Sequence, residues 1–155
     1  MATAYILVGV PGSGKSTWVK NQKWTNDHVI ASTDDYVEAY ARSVNRTYSE
    51  VFEEVMSAAV TQMLDDVLHA VEEGKDLIWD QTSTTVSTRA KKIKMLDGYT
   101  KIAVVFKTPL FDELNDRLQR RALTGKVIPS DVMHRMISGF EHPTLDEGFD
   151  QIWHA

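Results

Sequence analysis

Gly9-Val10-Pro11-Gly12-Ser13-Gly14-Lys15-Ser16 follows the apolar run Ala4-Tyr5-Ile6-Leu7-Val8 and leads into a helix-forming stretch, Ser16 to Gln22. A short apolar run of this kind suits a strand buried on both faces, as in a parallel sheet. The pattern G-x-x-x-x-G-K-S between strand and helix makes a bend for phosphate. Its glycines let the backbone turn N–H groups inward, and the helix start adds positive potential. Lys15 is placed to reach the β- and γ-phosphates, and the Ser16 hydroxyl to hold Mg²⁺. ATP with Mg²⁺ is the expected ligand pair.

The rest of the chain repeats the alternation. His28–Ser32 is a second strand candidate, with a helix opening at Asp34-Asp35-Tyr36 and running through Arg42. Thr47 with Glu50 three residues later fits a capping box for a long helix to Glu73, stopped by Gly74. Its apolar pairs (Val51/Phe52, Val55/Met56, Ala59/Val60, Met63/Leu64, Val67/Leu68) recur every four residues. Each step overshoots a turn by about 40°, so the stripe should wind, meeting the sheet at one end and a neighbouring helix at the other. Asp76–Asp80 and Lys101–Phe106 read as strands, Ser87–Leu96 and Leu110–Arg121 as helices. Ser130 is the expected N-cap of a last helix, and Phe149–Trp153 the expected fifth strand. The expectation is an α/β three-layer sandwich with a five-stranded, mostly parallel sheet.

The 155 residues suit one domain (1–155), with 43% hydrophobic and 25% charged residues and no cysteine. Disulfides, thiolate metal sites and cysteine nucleophiles are excluded. A net charge of −5 argues against coating nucleic acid through bulk positive charge. The first residues lack a basic n-region and a long apolar core, so a soluble cytoplasmic protein with no membrane partner is expected, in the host cytoplasm if the chain is viral.

Candidate acids follow two strands. Asp34-Asp35 falls at the carboxyl edge of the sheet, where α/β ligands bind. A carboxylate there can orient a hydroxyl and take its proton, or can cap the helix. Asp80 ends another strand on that edge and could contact Mg²⁺ through water or hold an acceptor. Gln81 and Thr82 beyond it are further acceptor-side candidates. Arg117, Arg120 and Arg121, with Lys126 in the following loop, suit a flap (about 117–130) that neutralises charge on a transferring phosphoryl group. The basic cluster Arg89, Lys91, Lys92 and Lys94 is expected to be mostly solvated, and the five histidines show no metal-ligand spacing.

Gly9–Trp18, reading G-x-P-G-S-G-K-S-T-W, and the Asp34-Asp35-Tyr36 segment resemble the bacteriophage-type polynucleotide 5′-hydroxyl kinases of the P-loop kinase group. The resemblance implies a P-loop kinase-like fold with a helical lid. It also implies a nucleotide-binding set of Gly9, Pro11, Gly12, Ser13, Gly14, Lys15, Ser16, Thr17, Arg117 and Arg121. Asp34 becomes the general base, Lys15 and Arg121 act with it on the transferred group, and Asp80 helps bind the acceptor. The implied acceptor is the 5′-hydroxyl of single-stranded or end-exposed DNA or RNA. Two departures matter. The family commonly has an arginine after D-D-Y that grips the acceptor's 3′-phosphate, and here Val37 stands there. The spacing from lid to proline is also about two residues longer, which leaves Arg120 competing with Arg121. The alternatives are a kinase of a nucleoside or other small hydroxyl compound, and a nucleotide switch without transfer.

Overall fold

The computed structural model describes residues 1–155. In chain order its elements are β1 (Thr3–Val8), α1 (Lys15–Asn21), β2 (His28–Ala31), α2 (Thr33–Ser43), α3 (Tyr48–Glu73), β3 (Asp76–Trp79), α4 (Val86–Lys94), β4 (Thr100–Val105), α5 (Phe111–Leu123), α6 (Ser130–Ser138) and β5 (Gln151–His154). A 3₁₀ turn, Leu145–Glu147, precedes β5. The strands form one sheet in the order β2-β3-β1-β4-β5, and every pairing is parallel. All carboxyl ends therefore share one edge. On it lie the bend after β1, Ser32–Asp35 after β2 and Asp80 after β3.

Period-two alternation divides the core into two layers. Ala4, Ile6, Val8, Leu77, Trp79, Ala103 and Val105 face Met63, Val67 and Ala70 of α3 together with Leu96 and Tyr99. Leu7, Ile78, Ile102 and Val104 face the other way, against Val19 of α1, Phe106 and the partly buried Trp18 and Trp24. Full burial of each large aliphatic side chain, as for Ile6, Leu7 and Leu77, contributes about 1.5–3 kcal/mol.

The stripe on α3 winds as its four-residue step requires. Val51, Val55 and Ala59 pack against Val37 and Ala41 of α2, whereas Met63, Val67 and Ala70 pack against the sheet. The helix is held at both ends by local chemistry. Thr47 and Glu50 form the capping box, and Gly74 closes it in the left-handed region at φ 64°. A fourth contact group joins α5 and α6 to the bend: Val10 is enclosed by Leu114, Met133 and the partly buried Leu118 and Ile128. No helix is long and apolar enough to cross a membrane.

Three expectations are corrected. Ser130 is not the cap of α6: Pro129 is the N-cap residue, its carbonyl accepting from the N–H groups of Val132 and Met133. The fifth strand begins at Gln151, while Phe149 is a core residue before it. Two members of the Arg89–Lys94 cluster are buried. Arg89 donates to Glu147 at 2.7 Å and to the Ser83 carbonyl at 2.9 Å, and Lys92 lies 5.5 Å from the centre of the Trp79 ring. Trp79 and Glu147 give these cations an interior environment that local spacing does not announce.

Candidate active site

The bend after β1 is built for close approach. A Cβ on Gly9 would sit 2.5 Å from Ser13 Oγ and 2.9 Å from Phe106 Cβ, so no side chain fits there. Gly12 and Gly14 hold φ values of 84° and 102°, where L side chains are strained. The Gly9 N–H is tied to the Thr82 carbonyl at 2.9 Å, which locks the bend to the segment after β3. Pro11 stands within the bend, and Ser16 and Thr17 are exposed in the first turn of α1.

Two polar groups in the bend suit an anion. Ser13 Oγ is buried with no hydrogen-bond partner, a costly state for a hydroxyl. Lys15 Nζ folds back to donate to the carbonyls of Gly9 (2.8 Å) and Val10 (2.9 Å). Burial pulls its ammonium down to about 8, against the upward pull of Asp80. A phosphate chain supplies both groups with acceptors, and the exposed Ser16 hydroxyl suits Mg²⁺. The residues fit ATP and its metal.

Two cavities flank the bend. One, of about 650 Å³, is lined by Gly12, Ser13, Gly14, Thr17, Trp18 and Phe106 together with Arg117, Arg120 and Arg121. The other, of about 350 Å³, is lined by Ser16, Asp34, Asp35, Glu38, Arg42, Tyr48, Asp80, Arg121 and Lys126, among others. Arg121 borders both.

The lid arginines divide by partner. Arg117 donates to the Gly12 carbonyl at 2.7 Å and to Glu113 at 2.6 Å, stapling α5 to the outside of the bend. Arg120 pairs with Asp116 on the exposed side of α5. Arg121 has neither kind of tether and lines both cavities, whereas Arg120 lines only the larger.

In the smaller cavity Asp34 is the best-connected acid. Its Oδ1 accepts from Tyr48 Oη at 2.6 Å and its Oδ2 from Lys126 Nζ at 2.8 Å. Burial pushes its carboxyl upward, but the Lys126 charge and the hydrogen bonds from Lys126 and Tyr48 outweigh this and hold it below the usual range. Its side chain is still 48% exposed, so a hydroxyl can reach it. Asp35 is displaced upward, by burial first and then by the neighbouring Asp34 charge, and its N–H is capped by Ser32 Oγ. Burial pushes Asp80 up to about 6, although Lys15 pulls it down. Gln81 and Thr82 do not line this cavity: the Gln81 side chain accepts from Trp79 Nε1, and Thr82 serves the bend through its carbonyl.

Glu38, Arg42 and Tyr48 also line this cavity, and none of them was a site candidate from sequence. Asp34, Glu38 and Arg42 are spaced four apart on α2, a periodic signal that could have shown the first two on the cavity wall with Arg42. Tyr48 carries no such signal, because its arrival depends on the Val44–Arg46 turn, where Asn45 holds φ 54°. Val37, which stands where the resemblance to polynucleotide kinases would place an acceptor-gripping arginine, is fully buried against α3.

A family model described as an AAA domain matches residues 5–143. Among solved structures, a candidate kinase from Chloroflexus aurantiacus j-10-fl aligns over 99% of this chain and 84% of its own, with a TM-score of 0.65 and 16% identity. A chain from the PezAT chromosomal toxin-antitoxin system of Streptococcus pneumoniae aligns over 95% and 81%, with a TM-score of 0.59 and 16% identity. A gluconokinase from Sinorhizobium meliloti 1021 aligns over 98% and 81%, with a TM-score of 0.52 and 15% identity. At such identities the likeness is one of fold.

Proposed function

The chain belongs to the AAA domain family and has a P-loop kinase fold, and from that premise we propose that it transfers the γ-phosphate of ATP to a hydroxyl of a small molecule. One observation carries the reading: Arg121 borders both cavities, while Ser16 and Asp34 line the same one. A donor seated in the bend and an alcohol beside Asp34 would thus meet at Arg121. A cavity of about 350 Å³ lies within the range of small-ligand sites. The gluconokinase, by its name, acts on a small molecule. The burial of Val37 removes the expected grip on a polynucleotide's 3′-phosphate.

The residues divide the work as follows. The bend amides, Ser13 and Lys15 bind the phosphate chain; Ser16, with Asp80 through water, would hold Mg²⁺, which would supply charge neutralisation. Asp34 orients the acceptor hydroxyl and takes its proton. Arg121 stabilises charge on the group in flight. Asp80 is otherwise available to the acceptor.

The 5′-hydroxyl of DNA or RNA is the second reading, favoured by the ten-residue match at Gly9–Trp18. Labelled ATP offered with sugars, hydroxy acids, nucleosides and 5′-hydroxyl oligonucleotides separates the two. Transfer to a small alcohol is expected. Transfer to oligonucleotides alone overturns this reading in favour of the second, and hydrolysis indifferent to every acceptor leaves a non-transferring switch.

A further inference from the structure

The lid loop between α5 and α6 docks on the start of α3 through its backbone. The Ser49 N–H donates to the Gly125 carbonyl at 3.1 Å, and the Val127 N–H donates to Ser49 Oγ at 2.8 Å. Gly125 lies at φ 91°, with Thr47 Cβ 2.5 Å from where its own Cβ would be, so only glycine fits this contact. The loop therefore delivers Lys126 to Asp34 across 92 residues of sequence. Lys126 Nζ also lies 4.6 Å from the centre of the Tyr48 ring and 3.8 Å from Glu38. Its side chain is only 16% exposed.

Given the phosphotransfer reading above, on which this inference rests, we propose that Lys126 and Tyr48 are positioning residues for Asp34, and that the Lys126–Asp34 ion pair is a latch holding the lid loop over the acceptor cavity. Each fixes one carboxylate oxygen, leaving the remaining lone pairs to meet a hydroxyl. The ion pair exists only while Asp34 is ionised. During transfer the acceptor oxygen bonds to the γ-phosphorus, and the bond to the bridging oxygen breaks with its electron pair leaving on the diphosphate. The acceptor's proton passes to Asp34. The carboxyl is then neutral, the latch weakens when product must leave, and loss of the proton to water resets it. Proton transfer and lid release become one event.

The charges facing Asp34 are Lys126 from the loop, Lys15 from the bend and Arg121 from α5, with Asp35, Glu38 and Asp80 opposing them and Tyr48 donating. Lys126 and Tyr48 both favour the ionised carboxylate. Removing either should move the acid limb of the transfer rate towards higher pH.

Amide hydrogen exchange on the nucleotide-free protein tests the latch without needing an acceptor. Asp34→Asn and Lys126→Met should each speed exchange at Gly125–Val127 about tenfold, the worth of a charged hydrogen bond, while β1 and β4 keep their protection. Unchanged exchange at the loop in Asp34→Asn overturns the latch, whatever the acceptor proves to be. Transfer assays with the accepted alcohol test the positioning role. Lys126→Met and Tyr48→Phe should shift the acid limb upward, the first more than the second, with Lys126→Arg restoring it. A lower rate with an unmoved limb assigns the two residues to structure alone and overturns the positioning role.

Discussion

The bend of Gly9–Ser16 and the wall of Asp34, Tyr48 and Lys126 face each other across Arg121 and are built in opposite ways. The bend is contiguous and made mostly of backbone. Its shape comes from positive φ at Gly12 and Gly14 and from the space that Gly9 leaves empty. The wall is made of side chains from α2, α3 and the lid loop, held by hydrogen bonds spanning 14 and 92 residues. Backbone geometry suits a ligand whose phosphates never change. Side chains suit a partner recognised by its own particular groups.

Substitutions on the two sides should therefore fail differently. Asp34→Ala should lower transfer by about 10²–10⁴-fold with nucleotide affinity nearly intact; equal loss of both, read by calorimetry beside the assay, removes Asp34 as the base. Arg121→Ala should cost about 10²–10³-fold in kcat, whereas Arg117→Ala should act mainly on nucleotide KM by freeing the Gly12 carbonyl. The reverse pattern would exchange the two roles. Gly9→Ala should lose about 1–3 kcal/mol of stability through overpacking against Ser13 and Phe106, with nucleotide binding weakened alongside. A normal melting temperature with normal binding would show that the bend can shift.

The smallest expected effects are proton-linked. Burial holds Lys15 at about 8, below its unfolded 10.5, so at pH 9 most nucleotide-free molecules carry a neutral amine there. Phosphates restore the charge, and nucleotide binding at pH 9 should take up protons but not do so through Lys15 at pH 6.5. Calorimetry in buffers of different ionisation enthalpy reads this directly, and no linkage at pH 9 refutes it. Asp80 works in the opposite sense: its folded value of about 6 exceeds the unfolded 3.8. Its contribution to stability is full below 3.8 and lost as pH rises through 6. Asp80→Asn should raise the melting temperature at pH 8 more than at pH 5, and equal shifts at both would deny the burial penalty.

The same contrast explains what the sequence discloses. The bend, the Thr47–Glu50 box and the Gly74 stop are local signals, each complete within a few residues, and they are found where they were expected. The winding of α3 was legible too, since helical geometry converts a four-residue step into a rotation. Asp34 and Asp80 were placed by their position after strands, and Ser16 and Asp34 line one cavity. Tyr48 was not legible, because no local pattern brings the first turn of α3 over the start of α2. Arg89 and Lys92 misled because a charged residue's burial is decided by its distant partners, here Glu147 and Trp79. Ser130 misled because a serine beside proline looks like a cap even when the proline carbonyl already opens the helix.

One helix, α3, packs Val51–Ala59 against α2, which carries Asp34, and Met63–Ala70 against the sheet from which the bend emerges. It acts as a chassis between the sheet that carries the bend and the helix that carries Asp34. Glu38, Arg42 and Arg46 border the smaller cavity yet lie outside the sheet's interior. Side chains on that wall can be exchanged one by one without disturbing the sheet's interior, whereas the bend leaves no room for a side chain at Gly9.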